Sequence, residues 1–230
     1  MIKLNTFHLK IIATFFMIID HIAHYLIPVS QPAYLVMRIL GRIAAPLFWF
    51  CFAEGYKHTS NKFGYTKRLG VASGIMAIGN LIIAKITSSL DYTSMISPNI
   101  FFTMFLLSIA ILCVETAKKK KTWNRAVCWL MSIFACCIAG FYAEYGWLAV
   151  ASILCLYFTN KWRTLLFIVL SLVICVFENN IIQVFMLLAA LPMNMYVCEK
   201  PKKSLKWFFY VFYPVHNWIL MLIQFFVSKS

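Results

Sequence analysis

Residues 9–28 read LKIIATFFMIIDHIAHYLIP and residues 34–54 read YLVMRILGRIAAPLFWFCFAE. At about 1.5 Å of rise per helical residue, each run is long enough to cross a hydrocarbon layer of about 30 Å. The connection 28–33, Pro28-Val29-Ser30-Gln31-Pro32-Ala33, is short, so the two runs are expected to form an antiparallel helix pair. Similar runs follow at 69–88, 99–117, 124–142, 146–159, 164–178, 180–198 and 206–227. The runs 146–159 and 164–178 are short, and together they suit a hairpin that does not fully cross. The reading is all-α: a polytopic integral membrane helical bundle of about nine transmembrane helices. No internal repeat, heptad or Gly/Ser linker interrupts it, so residues 1–230 are expected to form a single domain.

Composition agrees. Of 230 residues, 63% are hydrophobic and 12% charged, whereas a soluble domain is nearer half apolar and a quarter charged. A chain of this size cannot hide that excess in one core, so lipid must solvate much of its surface. The net charge of +14 does not point to nucleic acid, because the cations sit in short loops between apolar runs, where orientation signals lie.

Loop charge alternates. Lys3 and Lys10 precede or open the first run. Lys57, Lys62, Lys67 and Arg68 follow the second, and Lys118 to Lys121 with Arg125 follow the fourth. Lys161 and Arg163 come after the sixth, and Lys200, Lys202, Lys203 and Lys206 before the last. The intervening loops carry Asp91, Glu144 and Glu178, with Lys85 at one edge. The positive-inside rule then predicts a cytoplasmic N-terminus and, with an odd number of spans, an extracytoplasmic C-terminus. Tyr56, Trp123, Trp147, Trp162 and Trp207 fall where interfacial belt residues are expected. The first run has ionisable residues and no small-residue cleavage site after it, so it is read as a retained span.

The eight cysteines lie almost entirely inside apolar runs, with no C-x-x-C pair and no Cys/His metal spacing. Packing rather than disulfide or metal chemistry is expected of them, and no metal cofactor.

The ionisable residues inside the runs are costly and must face protein, water or substrate. Asp20, His21 and His24 lie in the outer half of the first run, Arg38 and Arg42 early in the second, and His216 near the middle of the last. Asp20 and His24 share a helix face, while Asp20 and the adjacent His21 point about 100° apart. One plain reading is a buried ion pair, Asp20 with Arg38 or Arg42, that locks two helices. One acid against two guanidiniums and two imidazoles is more than a lock needs, however, and suits an anionic or polarised group. Asn99 and Thr103, with Ser97-Pro98, and Glu144-Tyr145-Gly146 extend the zone. A cap or a turn accounts for each of these equally well. At the other end Glu54 and His58 are four apart, and Lys57, Lys62, Tyr65, Lys67 and Arg68 make a basic, aromatic loop. That loop suits lipid headgroups or, more weakly, a nucleotide.

Several blocks resemble the TraX family: Leu9-Lys10-Ile11-Ile12-Ala13, Met17-Ile18-Ile19-Asp20-His21-Ile22 and Gly41-Arg42-Ile43-Ala44-Ala45-Pro46-Leu47-Phe48. Glu54-Gly55 with His58-Thr59, Tyr65 with Arg68-Leu69, Asn99-Ile100-Phe101-Phe102-Thr103, Glu144-Tyr145-Gly146 and Tyr213-Pro214-Val215-His216 continue the resemblance in order, almost to the end of the chain. The family usually shows Asp-Tyr-Gly where this chain has the longer acid, Glu144. The resemblance implies an inner-membrane protein linked to N-terminal acetylation of conjugative pilin. It also implies a distant similarity to transmembrane acyltransferases such as heparan-α-glucosaminide acetyltransferase, which take acetyl-CoA from the cytosol and acetylate an acceptor on the far side.

On that footing the expected function is acetyl-CoA-dependent N-acetyl transfer at the outer side of the membrane. The base is expected to be His21, since imidazole titrates near neutral pH. Asp20 then orients a histidine or holds an arginine, Arg38 or Arg42 stabilises the oxyanion, and His216 is a second proton carrier or an alternative base. Lys57, His58, Lys67 and Arg68 are the expected acetyl-CoA contacts, and His24, Asn99, Glu144 and Tyr145 the expected acceptor contacts. Both direct transfer and an acetyl-histidine intermediate are compatible. The expected partners are acetyl-CoA, membrane lipids and an acceptor peptide, sugar or lipid. Two alternatives remain at this point: a proton-coupled or anion transporter, and a non-catalytic assembly factor that binds a pilin-like peptide. Neither paired repeats nor broken helices, the marks of the transporter reading, are read from the sequence.

Overall fold

The computed structural model describes residues 3–87, 99–119, 123–177, 181–199 and 206–229. Asp91, Ser97-Pro98, Lys120, Lys121, Glu178, Lys200, Lys202 and Lys203 lie outside them, as do the side chains of Trp123 and Lys206. The helices are α1 (Thr6–Leu26), α2 (Pro32–Gly41), α3 (Ala44–His58), α4 (Lys62–Ile86), α5 (Ile100–Lys119), α6 (Trp123–Tyr142), α7 (Gly146–Phe158) and α8 (Arg163–Phe177). They are followed by α9 (Ile181–Val184), a 3₁₀ turn (Phe185–Ala189), α10 (Ala190–Asn194) and α11 (Lys206–Lys229). Six helical stretches are long and apolar enough to cross a membrane, one of them α2 and α3 together, and three shorter apolar stretches cover 146–158, 163–177 and 181–194. Each of the nine sequence runs thus holds a helical stretch, and the protein is a membrane protein.

Local chemistry sets the ends. The Asn5 carboxamide accepts from the N–H groups of Phe7 and His8, and His8 Nδ1 accepts from Asn5 N–H, a reciprocal cap for α1. Ile27 is extended, as the residue before Pro28 must be. Pro32 opens α2 at a position where its missing N–H costs nothing.

The run 34–54 is expected as one helix, but the chain breaks it at Arg42 and Ile43. There the N–H groups turn to tighter i−3 bonds, on Ile39 O and Leu40 O. Pro46 explains the break: it has no N–H for the carbonyl of Arg42, four residues earlier, and its ring crowds that carbonyl. The run 180–198 is broken as well, into α9, the 3₁₀ turn and α10. Pro192 acts on Leu188 in the same way.

α3 is the centre of the bundle. Leu47, Trp49, Phe50, Phe52 and Tyr56 are all sealed from solvent, and α1, α5 and α7 pack around them. The expected belt residue Tyr56 is therefore a core residue; its hydroxyl bonds Thr66 Oγ1 and Ser108 O. Trp147, Trp162 and Trp207 do stand exposed. The outer helices carry apolar side chains outward, Ile78 and Ile82 on α4, Phe134 and Phe141 on α6, Phe226 and Val227 on α11. Buried polar groups such as Asn80, Thr103 and Asn217 face inward, as lipid solvation requires.

Ion pairs tie one end of the bundle. Arg163 Nη1 lies 2.6 Å from Glu54 Oε1, and Lys62 Nζ contacts Glu115 and Tyr157. This end, holding the 55–68 and 159–163 segments, is called the basic end below. Leu4 also forms a one-residue parallel bridge there, its N–H donating to Met195 O and its carbonyl accepting from Val197 N–H.

Candidate functional site

Away from the basic end, α1 and α2 bring Asp20 against both guanidiniums. Arg42 Nη2 reaches the two carboxylate oxygens at 2.7 and 2.8 Å, and Arg38 Nη1 reaches Oδ2 at 2.9 Å. Arg42 Nε also donates to Arg38 O at 3.3 Å. Gly41 makes this approach possible, since a Cβ there would collide with the Asp20 side chain. The break in the helix at Arg42 turns its guanidinium over the Tyr145 ring, 5.8 Å from the centroid. Tyr145 itself sits at φ +63°, a left-handed conformation costly for a side chain of its size. The turn is held by Thr103 Oγ1, which donates to Glu144 O, and by Gly146, also at positive φ.

The second relationship joins the ends of the sequence. His21 Nδ1 is 2.8 Å from His216 Nε2, with the two rings within 6° of parallel. His216 Nδ1 is 2.8 Å from Phe212 O. A carbonyl only accepts, so His216 Nδ1 carries a proton. In the neutral ring His216 Nε2 is then an acceptor, so His21 Nδ1 donates to it. The lone pair of His21 is left on Nε2. This tautomer is assigned from the bonding pattern. Asp20 therefore holds arginines and not a histidine.

His21, Asp20, Glu144, Tyr145 and Tyr213 line a small cavity. Next to it is a larger one of about 370 Å³ that reaches the basic end. Met17, Phe48, Ile100 and Tyr213 line both, so the two spaces adjoin. At its basic mouth the larger cavity is lined by Lys10, His58, Tyr65 and Arg68. The Arg68 guanidinium stacks on the Tyr65 ring, and its buried Nε has no hydrogen-bond partner among the described residues. Tyr213 Oη accepts from Ile100 N–H at 3.3 Å and keeps its own O–H to donate. Glu144 Oε2 is likewise buried without a partner among the described residues. Burial pushes the Glu144 carboxyl up to about 7, against the opposing pull of Arg42.

The expected site residues divide accordingly. Asp20, His21, Arg38, Arg42, His216, Glu144 and Tyr145 converge. His24 is exposed and lines neither cavity. Asn99 caps α5 through Phe102 N–H and donates to Ser73 O on α4, a structural tie. At the basic end His58 and Arg68 line the large cavity. Lys57 turns away to Leu156 O, Thr159 O and Asn160, and Lys67 is exposed outside the lining. Lys10 and Tyr213 are additions: Lys10 reads in the sequence as an orientation charge, and Tyr213 as part of a proline-containing block. The helical position of Lys10, four residues before Thr14 on the face that buries Ala13 and Met17, is the available signal.

A family model described as TraX protein matches residues 6–224. The probable fimbrial assembly protein FimC, serogroup H1, of Dichelobacter nodosus is 24% identical over 99% of this chain and 98% of its own length. No solved structure matches.

Proposed function

This chain belongs to the TraX family, and from that premise we propose that it is a membrane acetyltransferase of pilus assembly. It takes the acetyl group of acetyl-CoA at the basic end and passes it to an acceptor amine or hydroxyl at the opposite side. The fimbrial-assembly name of the Dichelobacter nodosus relative supports the pilus context. The observation that carries the reading is the pair of adjoining cavities, with the cations Lys10 and Arg68 lining one end and His21 lining the other.

CoA phosphates are anions, and Arg68 and Lys10 supply charge for them beside the Tyr65 and Tyr210 rings. The uncharged pantetheine arm runs past Phe48, Met17 and Tyr213 toward His21. In direct transfer, His21 Nε2 takes the proton of the acceptor as its nitrogen or oxygen bonds the thioester carbon, and CoA leaves as the thiolate. In the two-step route, Nε2 itself bonds that carbon and CoA leaves as the thiolate; the acceptor then bonds the acetyl carbon, the bond to Nε2 breaks, and the freed Nε2 takes the acceptor's proton. In either route the positive charge on His21 is shared with His216 through the 2.8 Å bond. One carboxylate against two guanidiniums leaves a positive field beside the cavity for the developing oxyanion, and the Tyr213 O–H is a candidate donor to it. Glu144, with its free oxygen, is placed to receive a donor group of the acceptor. The basic end is cytoplasmic in this scheme, as loop charge predicts.

A transporter reading gains one observation, the broken helices at Arg42 and at 185–190. The two readings separate in membrane vesicles supplied with radiolabelled acetyl-CoA. Transfer predicts His21-dependent label in an extracted protein, sugar or lipid fraction. Label in none of the three, above that of the His21→Ala variant, contradicts it.

A further inference from the structure

We propose that Glu54, His58 and Cys198 form a binding site for a tetrahedral transition-metal ion of the zinc class at the mouth of the large cavity. Nothing in the transfer reading requires this site.

The three side chains come from two parts of the chain. Glu54 and His58 are four apart on the last turns of α3 and share a face. Cys198 follows the segment that the Leu4 bridge fastens to the start of the protein. Cys198 Sγ lies 3.5 Å from His58 Nε2, and His58 Nε2 lies 3.8 Å from Glu54 Oε2. The three potential ligand atoms all fall within 4.8 Å of one another. Around a tetrahedral zinc, with bonds of about 2.0–2.3 Å to oxygen, nitrogen and sulfur, neighbouring ligand atoms stand about 3.3–3.7 Å apart. Small rotamer adjustments therefore bring the trio onto an ion.

The donor set is also chemically apt. Thiolate, imidazole and carboxylate are the three side-chain ligands zinc uses, and three of them leave a fourth position for water. The carboxylate is divided in its duties. Oε1 is engaged by Arg163 at 2.6 Å and faces Lys57 at 3.7 Å, whereas Oε2 faces His58. The cation pair thus orients Glu54 from behind, the usual role of groups behind a ligand, and the Tyr196 hydroxyl lies beside both Glu54 and Cys198. These cations oppose a second positive ion, so the anionic thiolate of Cys198 is the ligand that offsets them. Cys198 and His58 are exposed, which gives the ion access. His58 also lines the large cavity, so an ion would fix one wall of its mouth.

The test uses the full chain, purified without a polyhistidine tag in detergent and reduced with a phosphine. It is titrated with cobalt(II) as a spectroscopic stand-in for zinc. The expected result is one cobalt per chain, with tetrahedral d–d bands and a near-ultraviolet thiolate-to-cobalt charge-transfer band that zinc displaces. Cys198→Ser abolishes the charge-transfer band, and His58→Ala weakens cobalt affinity by about tenfold or more. Both positions are exposed, so both variants are expected to fold, which a thermal melt checks. A wild-type protein without the charge-transfer band overturns the proposal. So does a band that survives in Cys198→Ser, which would assign it to one of the other cysteines.

Discussion

His21 and His216 stand 195 positions apart in the chain, yet their ring nitrogens Nδ1 and Nε2 meet at 2.8 Å. The bond fixes where the lone pair of His21 is, and so separates the roles of the two rings. In the proposed chemistry His21 Nε2 reacts, and His216 holds the tautomer and shares the charge. His21→Ala is expected to lower acetyl transfer to background. His216→Ala should lower it by about 10²-fold and leave acetyl-CoA affinity within a factor of about two. Proteoliposome transfer assays with calorimetric donor binding check both. A His216→Ala variant with unchanged transfer would mean that the pair is only a helix clamp.

A Cβ at position 41 would meet the side chain of Asp20. Gly41→Ala is expected to push Asp20 off Arg42 and lower stability by about 1–3 kcal/mol, the range for forcing extra volume into a packed interior. Thermal unfolding in detergent measures it. An unchanged melting temperature would show that α1 and α2 part easily and that the Asp20–Arg42 pair is not tightly held.

The cations of the basic end are not equivalent. Neutralising Lys10 and Arg68 together, as Lys10→Gln and Arg68→Gln, should weaken acetyl-CoA binding by about tenfold or more and flatten its dependence on salt. Lys67→Gln should change neither, because Lys67 is exposed outside the cavity lining. Equal effects from all three positions in titration calorimetry would reduce the basic end to a diffuse lipid-facing charge.

Glu144 makes stability depend on pH. Its folded carboxyl is raised from 4.5 to about 7, first by burial and against the pull of Arg42. A raised acid favours the folded state while protonated. That advantage is complete below about 4.5 and is lost as pH rises toward 7. The melting temperature of wild type relative to Glu144→Gln should therefore fall between pH 5 and 8. A difference that stays flat, or rises, over that range would place Glu144 in a wetter setting than the structure gives it.

The helical plan was legible because lipid imposes one rule on every span: continuous apolar residues of a set length, with charge gathered between them. The breaks were less so. Pro46 and Pro192 each act on the carbonyl four residues earlier, and that cue is present in the sequence, but long apolar runs invite reading them as continuous helices. For the site, the crowding of Asp20, Arg38 and Arg42 followed from a short connection, and their contacts are local in sequence. The approach of His216 to His21 was beyond spacing arguments, since it depends on how α11 packs against α1. The same holds among the cations. Tertiary packing alone separates Lys10, Lys57 and Lys67, turning one to the cavity, one to the α7–α8 connection and one outward. Tyr145, at φ +63°, gave no sign in its residue type, because a bulky aromatic is among the last residues expected there.

The most direct test of the transfer chemistry is release of CoA thiol from acetyl-CoA by the purified protein in the presence of a pilin-like peptide with a free N-terminus. Donor binding is measured alongside on the same samples. The expected result is saturable binding in both wild type and His21→Ala, with thiol release in wild type alone. Absence of acetyl-CoA binding to the wild-type protein, or thiol release that persists undiminished in His21→Ala, would contradict it.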